Sequence, residues 1–234
     1  MNKKKINVEF FGVAGVGKTT YCKKVIDEFE GVKGTEIKSF LKLNKPGLKK
    51  YIYKLFIIAK LLFKDINLIL NTVRLIIKSK QISNKDFVIN LYNLLYIASI
   101  HNSNYNKMIS FLDQGLFQAL VSMKLSSCRN INDEMISYVN QFINKETIVV
   151  VVKAPKEIIF DRLENRKEKY SRLEKSQSNF SFSTAVKAFE EVKLNILDGC
   201  DNNLIKVVEI NSITKGDIIR NKLKIEREIL NVVK

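Results

Sequence analysis

Short continuous runs of apolar residues alternate along this chain with stretches in which apolar residues return every third or fourth position, a pattern that predicts strands exchanging with helices. KINVEFF, residues 5–11, reads as a buried strand. From Lys18 to about Glu30 the period becomes helical, with Tyr21, Val25, Ile26 and Phe29 on one face. MISFL, 108–112, reads as a second buried strand that ends at Asp113 and runs into the helix-like GLFQALVSMKL. TIVVVVKA, 147–154, is the clearest strand, and Pro155 opens a helix after it. LIKVVEI, 204–210, precedes Thr214-Lys-Gly-Asp217, a start signal like a capping box, and then a basic terminal helix. The rhythm predicts an α/β fold with a doubly wound parallel sheet, whose ligands bind at the carboxyl ends of the strands. One block breaks it. From Lys38 to about residue 105 the pattern is helical and strongly basic, which predicts a long helical insert, and Glu36 falls near where a second strand would end.

At 234 residues the chain suits one domain spanning 1–234, and its 46% hydrophobic content argues against global disorder. The basic start MNKKK runs directly into the first strand, so no export signal is expected. Cys22, Cys128 and Cys200 lie far apart and His101 is the only histidine, which excludes a zinc site and a disulfide framework and fits a reducing cytoplasm. The net charge of +16 is compatible with nucleotides, nucleic acid or an anionic lipid surface, but Lys, Asn and Ile recur throughout, as they do in a solvated lysine-rich surface. Within the block, LFIIAKLLF and LILNTVRLIIK are interrupted by Lys60, Lys64, Asp65 and Arg74, so no transmembrane segment of about 20 residues is expected. An amphipathic helix on lipid is one reading. A helix buried against the sheet, or against a twin subunit in a homodimer, fits the periodicity better. Tyr51, Tyr53, Tyr92 and Tyr96 either pack there or stack on a ligand's ring.

The chemistry concentrates at the first strand end. Gly12, Val13, Ala14, Gly15, Val16, Gly17, Lys18 and Thr19, followed by Thr20, match G-x-x-x-x-G-K-[ST] between a strand and a helix. Glycines let successive N–H groups face inward as an anion nest at a positive helix end, suited to the phosphate chain of ATP. Lys18 adds a point charge for the outer phosphates, and the Thr19 hydroxyl can ligate Mg²⁺. Asp113, at another strand end, can face the same metal, although an aspartate there can also simply cap the next helix. Gln114 follows it, where many hydrolases and motors of this loop type carry a glutamate that polarises water. LSGGQ is absent, and Asn84-Lys85-Asp86-Phe87 has its aspartate one position too early for N-K-x-D.

The helix after Pro155 sets Arg162 and Arg166 one turn apart on one face, and Lys167, Lys169 and Arg172 follow in a polar stretch. A lid-like segment over about 162–182 would neutralise charge on a transferred phosphoryl group; a solvated helix face is the plainer alternative.

With Gly12–Thr20, FLDQG at 111–115, the Pro155–Arg166 spacing and the Asn211-Ser212-Ile213-Thr214 strand end, the sequence resembles the thymidylate-kinase-like nucleoside and nucleotide kinases. That resemblance implies that Lys18, Arg162 and Arg166 stabilise the transferring phosphoryl group, that Thr19 and Asp113 position Mg²⁺, and that 211–214 border the adenine. It covers roughly 1–35 and 105–234. Gln114 departs from it, standing where the family has an arginine that grips the acceptor. The expectation is a cytoplasmic, ATP- and Mg²⁺-dependent phosphotransferase acting on a nucleoside, a nucleotide or a similar small hydroxylated metabolite, with no nucleic acid required. A sugar kinase-like protein of surface polysaccharide synthesis is a near variant. A nucleic-acid-associated ATPase and a nucleotide-binding adaptor at a lipid surface are rivals from other classes.

Overall fold

Apart from Asn7 and Glu9, the first strand is built of Ile, Val and Phe, and the strand Glu146–Lys153 is rich in valine; such β-branched and aromatic runs suit a sheet covered on both faces. The computed structural model describes residues 6–27, 29, 37–39, 52, 55–56, 58–61, 64–102, 109–143, 146–165, 182–200 and 204–233. In chain order they form β1 (Ile6–Phe11), α1 (Lys18–Asp27), β2 (Ile37–Ser39), α2 (Ile66–Ser79), α3 (Asn84–Asn102), β3 (Ile109–Leu112), α4 (Leu116–Leu125), α5 (Asn132–Phe142), β4 (Glu146–Lys153), α6 (Lys156–Glu164), α7 (Phe182–Glu191), a π-helical stretch Val192–Leu197, β5 (Ile205–Asn211) and α8 (Lys215–Val233).

All strand pairings are parallel and the order is β2-β3-β1-β4-β5, so β1 sits at the centre with β3 and β4 beside it. The chain turns to one side of β1 for β2 and β3 and to the other for β4 and β5. The carboxyl end of β1 is therefore the switch point at which a crevice opens. Side chains of β1 alternate between two cores. Ile6, Val8 and Phe10 pack with Tyr21, Cys22 and Val25 of α1 and Ile225 and Ile229 of α8. Phe11 faces the other way, with ring centroids 4.6 Å from Phe189 of α7 and 6.1 Å from Phe117 of α4. Truncating a fully buried Phe10 or Phe111 to alanine would cost about 3–5 kcal/mol.

Within the described residues of the basic block, α2 and α3 are set apart for local reasons. Asp65, which interrupts the apolar pattern, caps α2 by accepting from Leu68 N at 3.0 Å, and Lys80 ends the helix in the left-handed region at φ 45°. Asp86 N then donates to Ser83 Oγ at 3.1 Å, so the Asn84-Lys85-Asp86 stretch forms the first turn of α3. α2 buries Ile69, Leu75 and Ile76 and leaves Ile66, Leu70 and Ile77 exposed. Among the described residues no helix is long and apolar enough to cross a membrane.

Two expectations are corrected. β2 begins at Ile37, so this strand starts after Glu36 instead of ending near it, and Glu36 itself lies outside the described residues. α1 stops at Asp27, beyond which Phe29 sits edge-on to Phe111 at 6.2 Å. α5 and α7 are elements that the apolar pattern does not announce. The α5 sequence NDEMISYVNQF buries Met135, Tyr138 and Val139 at helical spacing, but polar residues surround them and the apolar face is only about one turn long.

Candidate functional site

The turn that leaves β1 doubles back into α1 because Gly15 and Gly17 take φ of +87° and +105°, a region that L side chains rarely enter. Such a turn lets consecutive amides point into the bend at the helix start. Lys18 folds over it, its Nζ donating to Gly12 O at 2.6 Å and Val13 O at 2.9 Å. The ammonium thus lies at the mouth of the cradle, on the side where β1 ends.

Across the β1–β3 boundary, Thr19 Oγ1 donates to Asp113 Oδ2 at 3.2 Å. Asp113 is buried and directly follows β3, while Thr19 is exposed at the start of α1. Two oxygen donors at the lip of an anion cradle are hard ligands of the kind Mg²⁺ prefers, so the residues fit that ion when it arrives with phosphates. The Asp113 charge reaches inward as well. Burial pushes the Cys22 thiol well above the ordinary cysteine value, and the nearby Asp113 carboxylate adds to the rise. Gln114 is exposed beside Asp113.

α6 rests on the loop through Ile159 and Leu163, which lie against Gly15. From this helix Arg162 Nη1 donates to Val16 O at 3.1 Å and to Ser212 Oγ at 3.0 Å. Ser212 is buried and its N–H bonds Lys153 O at 2.7 Å, so the guanidinium links the phosphate loop to the end of β5. The adjoining turn is held by a true capping box: Asp217 N donates to Thr214 Oγ1 at 3.3 Å and Thr214 N to Asp217 Oδ2 at 2.8 Å. Those backbone bonds, Thr214's foremost, hold the Asp217 carboxyl below its ordinary range. Asn221 of α8 closes the corner by donating to Asn211 O at 2.6 Å and to Tyr21 OH at 3.2 Å.

Of the residues singled out by sequence, the structure therefore brings together Gly12–Thr20, Asp113, Arg162 and Ser212. Arg166, Lys167, Lys169, Arg172, Tyr51 and Tyr53 lie outside the described residues. Of the lid-like stretch, Arg162–Asn165 and Phe182 are described; Phe160 and Phe182 meet with ring centroids 4.7 Å apart, so α6 and α7 adjoin where that stretch departs and returns. Tyr96 is buried in the core and so does not reach a ligand's ring, while Tyr92 is half-buried.

Two further groups shape this neighbourhood. Ser212, within the Asn211–Thr214 strand end that the sequence singles out, accepts from an arginine 50 positions away, a partnership that no local pattern announces. Glu9 is a buried carboxylate on β1, and its signal was visible: a polar residue alternating with Asn7 inside an otherwise apolar strand.

No protein-family model matches this sequence, and no curated protein does. Solved structures match over nearly the whole chain. The deoxyadenosine kinase from M. mycoides with bound dATP superposes with a TM-score of 0.53 at 17% identity, over 93% of this chain and 98% of that one. Thymidylate kinase from Candida albicans gives 0.53 at 13% identity, over 98% and 92%. Thymidylate kinase from Ehrlichia chaffeensis gives 0.50 at 12%, over 97% and 99%. The chain has the thymidylate-kinase-like P-loop fold.

Proposed function

We propose that this protein is a kinase that transfers the γ-phosphoryl group of Mg²⁺-bound ATP to a hydroxyl of a small molecule. The observation that carries the reading is the Thr19–Asp113 contact at the lip of a complete phosphate loop, because it joins the donor's cradle to a metal-binding carboxylate at the switch point of the sheet. The loop amides and Lys18 would hold the outer phosphates, and Thr19 with Asp113 would hold the metal. When bound, Mg²⁺ neutralises charge on the phosphates. Arg162, together with Arg166 as the family resemblance implies, would add positive charge as the acceptor oxygen bonds the γ-phosphorus and the bond to the bridging oxygen of ADP breaks. The acceptor proton leaves to solvent or to a carboxylate at the rim. Asn211–Thr214 border the adenine.

We put nucleosides and nucleotides first among acceptors, a reading supported by the deoxyadenosine kinase and the two thymidylate kinases among the structural neighbours. Neutral Gln114 offers no charge to an acceptor phosphate, so an uncharged nucleoside or another small hydroxylated metabolite, sugars included, ranks ahead of a monophosphate. The helices of the 38–105 block would build that pocket within a single domain. A screen of labelled ATP against pooled nucleosides, nucleotides and sugars, with Lys18→Ala as control, tests the reading. One acceptor labelled by the parent and not by the variant supports it. Hydrolysis strongly stimulated by DNA or RNA, fading steeply with salt, would instead identify the nucleic-acid-associated ATPase.

A further inference from the structure

The least expected group in the fold is Glu9, a carboxylate 1% exposed in the central strand, three positions before the phosphate loop. Its two oxygens are divided between two elements. Oε1 lies 2.6 Å from Nε2 of His101, itself 3% exposed at the end of α3, and Oε2 accepts from Leu116 N, the first N–H of α4, at 2.8 Å. The second imidazole nitrogen, Nδ1, lies 3.3 Å from Asn7 Nδ2, so with the ring proton on Nε2 the histidine donates to Glu9 and accepts from Asn7.

The N-cap of α4 is Gly115, which has no side chain to meet the helix's free N–H groups. Glu9 does so from another strand, with a charge that the helix start favours. The fit is tight: a Cβ on Gly115 would lie 2.1 Å from Glu9 Oε2, so the chain passes here only as glycine. Asp113 stands two residues before this anchored point and directly after β3, so its backbone is fixed from both sides.

We infer that Glu9 and His101 are positioning residues that aim the Asp113 carboxylate at the metal beside Thr19, linking the end of the helical block to the phosphate site. This inference rests on the reading of Thr19 and Asp113 as the metal side of the site. Groups that orient a metal ligand without touching the ion typically change metal affinity about 10- to 100-fold when removed.

The test is binding of a fluorescent ATP analogue by the full chain, titrated with Mg²⁺ and repeated in EDTA, with thermal unfolding of each variant alongside. Glu9→Ala and His101→Leu should raise the half-saturating Mg²⁺ about 10-fold or more while binding in EDTA stays near the parental value. Glu9→Gln and His101→Gln, which keep hydrogen-bonding groups in place, should restore much of the Mg²⁺ response. If Glu9→Ala does not fold, His101→Leu and the two glutamine variants carry the comparison. An unchanged Mg²⁺ requirement in the disruptive variants overturns the inference and leaves the kinase reading intact, as does a loss of EDTA binding that parallels the loss of Mg²⁺ response. A parent whose nucleotide binding ignores Mg²⁺ overturns both.

Discussion

Thr19 and Asp113, 94 positions apart in the sequence, meet where two neighbouring parallel strands end, the hydroxyl donating to the carboxylate at 3.2 Å. The pair makes Asp113 a test of the site that leaves the phosphate cradle alone. Asp113→Asn should lower transfer about 100-fold or more, equivalent to about 2.7 kcal/mol, while nucleotide binding in EDTA changes little. Steady-state rates at varied Mg²⁺ check this; a variant that transfers at the parental rate would remove Asp113 from the metal site.

Gly17 is the position at which the loop's shape can be probed. At φ +105°, with room for a Cβ only 3.2 Å from Ser212 Oγ, alanine is strained in its backbone and crowds the Arg162–Ser212 contact. Gly17→Ala should cost about 1–2 kcal/mol of stability, read as a melting temperature lower by about 2–8 °C, together with weaker nucleotide binding.

The fold's outline was legible because apolar periodicity survives wherever an element buries a whole face: β1, β3, β4, β5 and the loop between β1 and α1 stand where the pattern puts them. Position was harder to read than existence. Three residues suffice for β2 because β3 supplies its register, Ile37 opposite Ile109, and so short a strand leaves no period to detect. Asp113 could be suspected from its place at a strand end, whereas Glu9 and His101 become partners only through a separation of 92 positions that no local pattern encodes.

The cysteines should separate sharply in reactivity. Burial drives the Cys22 thiol well above its ordinary value and pushes Cys200 up to about 12, whereas Cys128 is exposed. Thiolate is the reacting form, so a disulfide reagent at neutral pH should modify Cys128 in the native protein and all three cysteines in denaturant. Rapid native labelling of Cys22 would contradict the packing of α1 on the sheet.

An acid-sensitive clasp joins β5 to its surroundings. Glu209 accepts from Lys153 at 2.8 Å and pairs with Lys193 at 2.6 Å; first Lys153 and then Lys193 hold its carboxyl below the ordinary range, and Glu209 in turn raises Lys193. A lowered glutamate stabilises the fold above its unfolded value of about 4.3, and that contribution fades as pH falls through the lower folded value. The raised lysine contributes below about 10.4 and loses its share as pH climbs through the higher folded value. With Glu209 46% exposed, solvent screening keeps the total under about 1 kcal/mol. Denaturant unfolding of Glu209→Gln and the parent should thus differ by a constant small amount from about pH 5 to 9 and converge in acid.

The centrality of β1 governs how the molecule is assembled in time. Contacts of α1 and β1 with the segment that carries Asp113 and Leu116 span 94 and 107 positions, and the entropy of closing such loops must be met before any of those bonds forms. A β1–α1 hairpin folding by itself would hold the glycine loop but neither Asp113 nor the anchor on Leu116. On the site proposed above, competence to bind would therefore follow the docking of the distant segment. A ligand of the completed site draws the equilibrium toward the native state by mass action, by about 2.7 kcal/mol at a hundred times its dissociation constant. Occupancy of this site is for that reason also a measure of how much of the chain has finished folding.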